Sequence, residues 1–537
     1  MPSQLKLGAL LSYVVLGLNN LVGLLYTPYL LRMLGKSEYG MYSIGASVVA
    51  YLTILDLGFG NAIVRYTAKY RAEGKTEEQS KMFGMFFLLY CGISLVAIAL
   101  GFVLAFNTEL IFDGAMTAGE LSRVRAMLFL MVLNLAVTFP FSLFGSIITA
   151  YERFVFQKVV AIFRIVLNTG TMIVLLQFGY KAVALVVVTT VFNLCTLASN
   201  FFYCKKFLNV KLAFGKIDWG FLKEVAVYSF WIFLNAIMDR IYWSTGQFVL
   251  GAFVGTAAVA VFAVAIQLEH MYMSFSTAIS GVFLPKVTAM VSESSSEKAV
   301  SDLFIRTGRV QYCVLALVLS GFFLFGRQFI ELWAGPGYRD AYGIALLFFV
   351  PLTVPLIQNL GITILQARNQ MKFRSLLYLG ISLVSLALQI PLAKYYGGFG
   401  CACAIAGALV LGQIIVMNVY YQVKQKIDIV AFWKEIFKMN VAPLCMVIVS
   451  YFVLQNLVLD SPIRLGIGIV VYLLVYLPLF YFGSMNAYER NLVMKPIRKI
   501  LKFVLKSEYL SIFLYIIGNS THHATSAMRA DHGESFC

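Results

Sequence analysis

Fourteen mostly apolar runs, most of about 20 residues, follow one another with short joins, and this constrains the chain more than any motif does. They lie at 8–33, 40–64, 82–106, 126–150, 154–178, 182–203, 225–250, 256–284, 310–332, 341–365, 375–395, 400–422, 440–457 and 464–482. Such runs cannot all be buried inside a water-soluble body. Apolar residues are 60% and charged residues 12% of the 537, whereas a soluble surface needs roughly 25% charged residues. Mean hydropathy is +0.83. The solvent of this chain is therefore lipid. With no water to bond exposed peptide groups there, each run is expected to be a helix that satisfies its own backbone. The fold class follows: an all-α integral membrane protein with about fourteen transmembrane helices.

The net charge of +17 does not imply nucleic-acid binding, because the cations sit in the joins rather than on one water-facing surface. With the amino terminus inside, alternate joins hold about 31 Lys and Arg against about 9 in the opposite set, the bias that orients membrane proteins. Both termini are then cytoplasmic. Arg164 and Arg240 belong to neither side, since they fall within spans.

An internal repeat appears at an offset of about 220 residues. Residues 34–45 align without gaps to 254–265, so that Gly35 meets Gly255 and Tyr42 meets Phe262. The same offset sets 58–61 on 278–281 and 65–66 on 285–286. Six helices separate the copies, so both keep one orientation, as in transporters built from two lobes about an axis along the membrane normal. The expected organisation is two pseudo-symmetric six-helix lobes, 1–224 and 225–439, with two further helices at 440–485. A basic amphipathic segment at 486–518 lies on the inner lipid surface, and 519–537 is a disordered tail.

No enzyme signature survives inspection. There is no P-loop or glycine-rich nucleotide fingerprint, and no soluble segment large enough for a catalytic domain. No metal site is expected. Cys401-Ala-Cys403 has no second Cys/His cluster beside it, and His522, His523 and His532 fall in the polar tail. The cysteines read as small buried hydrophobes.

Ionisable residues at membrane depth remain, and each is costly enough to need a reason. Arg164, Asp239, Arg240, Glu269 and His270 are mid-span, and Asp56 is in the inner half of the second span. They either pair off, Arg240 with Glu269 and Asp56 with Arg65, or line a hydrated cavity. Asn168 and Asn235 are among several amides within spans, and Pro28, Pro140, Pro351, Pro355 and Pro391 lie in or at the ends of others. A proline frees a carbonyl and permits bending, which suits a lobe that rocks. Tyr228, Trp231, Tyr242 and Trp243 either stack on sugar rings or anchor spans near the interface.

Residues 25–70, LYTPYLLRMLGKSEYGMYSIGASVVAYLTILDLGFGNAIVRYTAKY, resemble the first hairpin of bacterial polysaccharide transporters. These are the oligosaccharide flippases of the multidrug/oligosaccharidyl-lipid/polysaccharide exporter superfamily. Residues 228–268 resemble the start of that family's second lobe. The resemblance implies a fold like that of multidrug and toxin extrusion (MATE) proteins. It also implies flipping of a polyprenyl-diphosphate-linked oligosaccharide across the bacterial cytoplasmic membrane for O-antigen, capsule or exopolysaccharide, without enzymatic chemistry or cofactor. Membrane lipid, a polysaccharide polymerase and chain-length machinery are the implied partners. Depth and charge make Arg164, Arg240, Asn168 and Asn235 the candidates for binding substrate. Asp56, Asp239 and Glu269 are the candidates for a coupling proton or sodium ion. A cation-coupled MATE-type drug exporter and a membrane glycosyltransferase or polymerase are the alternatives. The two extra spans argue against the first, and the short outer joins against the second.

Overall fold

The computed structural model describes residues 2–112, 114–215, 218–280, 287, 290, 297–368, 370–454 and 459–495. Among them the secondary structure is helical throughout, with no strand. The helices are α1 (Pro2–Leu52), α2 (Phe59–Ala72), α3 (Thr76–Phe106), α4 (Thr108–Phe112), α5 (Ala118–Ala150), α6 (Phe154–Gln177) and α7 (Ala182–Phe207). There follow α8 (Trp219–Trp243), α9 (Thr245–Phe253), α10 (Thr256–Ser280), α11 (Glu297–Trp333), α12 (Ala341–Ile357), α13 (Leu360–Ala367) and α14 (Met371–Ala408). A π-helix (Leu409–Val416) leads into α15 (Met417–Val423), and α16 (Ile429–Met439), α17 (Val441–Leu454) and α18 (Pro462–Gly483) complete the series.

By length and composition ten of the described helical stretches can cross a membrane, or eleven with the bent pair α12–α13. That is fewer than the fourteen spans expected. Two of the ten, Leu10–Ala72 and Met371–Val423, run to 63 and 53 residues, whereas a hydrocarbon core takes about 20. Each contains a backbone break, at Gly35 (φ 75°) and Gly397 (φ 57°). The pair α8–α9 is not among the ten. The repeat matches at 281 and 285–286, the basic run beyond 495 and the tail with its histidines lie outside the described residues.

The repeat is also written in the backbone. Gly35 and Gly255, Gly114 and Gly335, Gly179 and Gly397, and Asn209 and Lys426 all have positive φ, and each pair is about 220 residues apart. The glycines of the first pair open the second half of α1 and α10, where a side chain would strain the turn. Within 52–225 one apolar core joins α2, α3, α5 and α7, while a larger one unites α8 to α18 with Leu30, Leu31 and Leu34 of α1.

The molecule is tied shut at the end that carries Gly35, the end the sequence places outside. Thr117 and Glu120 form a capping box that starts α5. The Glu120 carboxylate then accepts hydrogen bonds from Ser37 of α1 and from Thr256, the first residue of α10. Gly40 lies so close to Thr256 that a Cβ there would overlap the Thr256 carbonyl oxygen. Arg32 donates to the Leu332 carbonyl (2.8 Å), and the Trp333 indole to that of Leu24 (2.6 Å).

At the opposite end the segment after α18 docks on the body. Arg309 of α11 and Glu489 are 4% and 2% exposed. The Arg309 guanidinium donates to Glu489 through Nε (2.6 Å) and an η nitrogen (2.9 Å), and to Glu435 of α16 (2.8 Å). A paired fork of this kind needs both partners, because either charge alone would be buried without compensation. The first turn of the basic segment is thus held by protein rather than by lipid.

Two outcomes are expected. Gly40→Ala forces the sealed end apart, so that a cysteine placed at Ser37 should react several-fold faster with a membrane-impermeant maleimide. Glu489→Ala should lower stability by about 3 kcal/mol, the low end for a broken buried pair because Glu435 stays in place, read as a lower midpoint of thermal unfolding in nanodiscs.

Candidate functional site

Below the sealed end, a cavity of about 510 Å³ opens among α8, α10, α12–α15 and the π-helix. On α10 and α12 the lining residues lie in the half away from the Gly35 end, and on α8 they are its last turns, which lead into α9. Backbone irregularity makes the room. Pro351 and Pro355 each remove a ladder hydrogen bond in α12, and α12 gives way to α13 through a 43° bend at Gln358–Asn359. Side chains brace the bend. Gln358 donates to Asn418 (2.8 Å), Asn418 also accepts from the Trp433 indole (2.9 Å), and Asn359 donates to Ser280 (2.9 Å). Across the cavity, the π-helix brings Leu409 and Gln413 into the lining, followed by Met417 and Tyr421 of α15. Helices of this type are rare and concentrate at functional sites.

The charged residues converge on one wall. Asp239 and Arg240 come from α8, His270 from α10 and Arg374 from α14. Asp239 feels both guanidiniums, but among the described residues no ion pair within 4.0 Å joins it to either arginine. Trp243 also faces the cavity. Tyr242 stacks on Tyr378 with ring centroids 4.8 Å apart, and Arg374 lies 5.3 Å over the Tyr378 ring. Glu269 is fully buried behind this wall. Among the described residues the basic side chain within 4.0 Å of it is the His270 imidazole, whose Nδ1 is 3.5 Å from Oε2, and neither of its carboxylate oxygens has a hydrogen-bond partner. The side chain of His270 is half-exposed, so the pair runs from cavity to interior.

The seven residues singled out in the sequence are therefore divided. Asp239 and Arg240 line the cavity, and Glu269 stands behind it. Asn235, one turn from Asp239, bonds Ser375 of α14 (3.3 Å). Arg164 and Asn168 are on α6, away from the cavity lining, with Arg164 exposed and Asn168 against Met172 sulfur at 3.8 Å. Asp56 sits in a 3₁₀ turn between α1 and α2 and accepts from Tyr90 (2.8 Å). An Arg240–Glu269 ion pair, one of the two readings left open, is not formed within 4.0 Å. The side chains of Tyr228 and Trp231 lie outside the described residues.

Arg374 was missed by the sequence reading, which counted it with the inner-loop cations because it precedes the apolar run at 375–395. The structure starts α14 at Met371, which puts Arg374 on the first turn with its side chain in the cavity. Gln413 was missed as well. The four-residue spacing of Leu409, Gln413, Met417 and Tyr421 was the available signal, one that drifts on an α-helix but lines up where the turn widens.

A family model for "Polysaccharide biosynthesis protein" matches residues 5–291. No curated protein matches the chain. Among solved structures, the lipid II flippase MurJ in an inward closed conformation aligns with a TM-score of 0.70 at 16% identity, covering 91% of this chain and 100% of that one. The MATE multidrug transporter DinF-BH aligns at 0.54 and 15%, covering 79% and 96%. A MOP superfamily transporter from Pyrococcus furiosus aligns at 0.51 and 13%, covering 80% and 95%. At these identities the likeness is one of fold, and the fold is that of transporters rather than of an enzyme.

A double-mutant cycle on thermal unfolding checks the wiring of this wall. Arg240→Gln and Glu269→Gln are expected to add within about 0.5 kcal/mol, whereas Glu269→Gln and His270→Gln should couple by about 1 kcal/mol. A stronger coupling for the first pair than for the second would restore the buried ion pair.

Proposed function

The chain belongs to the polysaccharide biosynthesis protein family, and from that premise we propose that it flips a polyprenyl-diphosphate-linked oligosaccharide across the bacterial cytoplasmic membrane. The observation that carries this reading is a cation-bearing cavity among α8, α10 and α12–α15, beneath lobes tied shut at the Gly35 end. A glycan and its diphosphate need water and positive charge during passage, while the polyprenyl tail stays in lipid. The cavity supplies both. It takes the headgroup from the inner side, and separation of the contacts around Glu120 and Thr256 then opens the outer side, which is alternating access by rocking of two lobes.

In this scheme the lobes are residues 1–224 and 225–439, crossing fourteen times in all with 440–485 and with both termini cytoplasmic. Arg240 meets the diphosphate, with Asn235 bracing α8 against α14. Arg164 and Asn168 of α6 serve a later position of the headgroup, on the first lobe. Asp239 and Glu269 are the coupling-ion candidates nearest the cavity, taking H+ or Na+, and Asp56 holds the turn between α1 and α2. The product feeds O-antigen, capsule or exopolysaccharide synthesis, handed on to a polymerase and its chain-length machinery.

A MATE-type drug exporter is the second reading, favoured by the shared fold and by the acidic pair Asp239 and Glu269. Organic cations would meet Arg240 and Arg374 in this cavity, however, which is repulsive at these depths. A glycosyltransferase or polymerase finds no support in family or fold.

Deleting the gene is expected to abolish surface glycan and leave lipid-linked repeat units on the cytoplasmic leaflet, accessible only after the cell is opened. Restoring Arg240→Ala at wild-type protein level should not recover export, and Arg240→Lys should recover part, because lysine keeps the charge but loses the two-pronged grip. Intact glycan with new sensitivity to cationic drugs would select the exporter instead, and glycan shortened to single repeats would select the polymerase.

A further inference from the structure

The cavity holds an arrangement that the assignment of Arg240 does not use. We propose that Arg374 and Gln413 form an oxyanion subsite on the inner side of this cavity, one that takes a phosphate or carboxylate group of the transported headgroup. The identity of that headgroup rests on the transport reading above; the anion site itself does not.

Arg374 has no hydrogen bond to any protein group among the described residues, and its Nε is buried without a partner. It packs over the face of Tyr378, 5.3 Å away, a contact that orients the guanidinium plane without occupying its donors. Gln413 is 7% exposed and lines the same cavity. Its Nε2 is also buried and unpartnered. Buried donors almost always find an acceptor, so two orphaned donors on one cavity lining mark the place of an acceptor that arrives with a ligand.

The ligand class follows from the donors. Arginine presents N–H groups in a fixed planar fork that fits the paired oxygens of phosphate and carboxylate. The glutamine amide adds a neutral donor on the same cavity lining. Asp239 is the one carboxylate on the lining, and against Arg240 and Arg374 it leaves that wall with a net positive charge. The volume, about 510 Å³, is in the range of pockets that hold whole small ligands. Gln413 reaches this position because residues 409–416 are wound as a π-helix. The extra residue in each turn is the device that turns an amide on an otherwise lipid-compatible span toward the site.

Two sources fit one oxyanion: the diphosphate of the carrier and the carboxylate of an acidic sugar. Purified full-length protein in zwitterionic-lipid nanodiscs, titrated calorimetrically with inorganic diphosphate and separately with galacturonate, distinguishes them. Saturable binding of at least one probe is expected, weakened about ten-fold by Arg374→Ala, as for loss of a charge-assisted bond. Arg374→Lys should regain part of it, and Gln413→Leu should weaken it several-fold. The probe that binds more tightly identifies the source. Should Arg374→Ala fail to insert, Arg374→Lys and Gln413→Leu carry the comparison. Wild-type affinity in these variants, or no binding of either probe to the unaltered protein, would overturn the subsite. Failure of the transport reading is seen elsewhere, as a deletion strain that keeps exporting its glycan while the purified protein still binds the anion through Arg374.

Discussion

Everything in this molecule depends on one constraint: a peptide group in hydrocarbon must find its hydrogen bond within its own helix. Regular helix is the default, so each departure has to be held by something. The departures are few and they coincide with the working parts. Gly35 and Gly255 break the helices where the two copies of the repeat meet. Pro351 and Pro355 open α12, and side-chain bonds between Gln358 and Asn418 and from Asn359 to Ser280 brace the bend that follows. The π-helix at 409–416 re-aims Gln413.

The two ends of the molecule are built differently. At the Gly35 end, close backbone approach does the sealing. Gly40 admits the Thr256 carbonyl, and Glu120 gathers Ser37 and Thr256 around a capped helix start. These are short-range contacts between small or polar groups, set beside the apolar contacts that Leu30, Leu31 and Leu34 make with the second half of the chain. At the other end Arg309 grips Glu489 and Glu435 with nearly complete burial. A buried charge pair cannot separate without stranding a charge, so α11, α16 and the segment after α18 are coupled to move as one body.

Much of this was legible in one dimension. The all-helical membrane fold and the repeat offset follow from apolar runs and glycine placement, because lipid imposes length and composition on every crossing, and the resemblance of residues 25–70 and 228–268 pointed to the family. Asp239 and Arg240 stood out for a similar reason, as charges where hydropathy forbids them. Among the described residues ten or eleven helical stretches are long and apolar enough to cross, because two of them, 63 and 53 residues long, each hold two apolar runs on either side of a glycine break, and α8–α9 is not counted with them.

The sequence by itself determined that this chain lives in lipid, repeats itself and carries charge at depth. What it left open is which charges share a space. Arg374 reads as a loop cation because hydropathy records distance along the chain and not the direction of a side chain on its turn. Asp56, Arg164 and Arg240 look equivalent along the chain, yet one caps a turn, one is exposed on α6 away from the cavity and one lines it. The structure forms no Arg240–Glu269 pair within 4.0 Å, because the packing of α8 against α10 sets Arg240 in the cavity lining and leaves Glu269 buried behind it. Rotation and mutual depth are set by packing between helices distant in sequence, and that is why only the tertiary structure decides them.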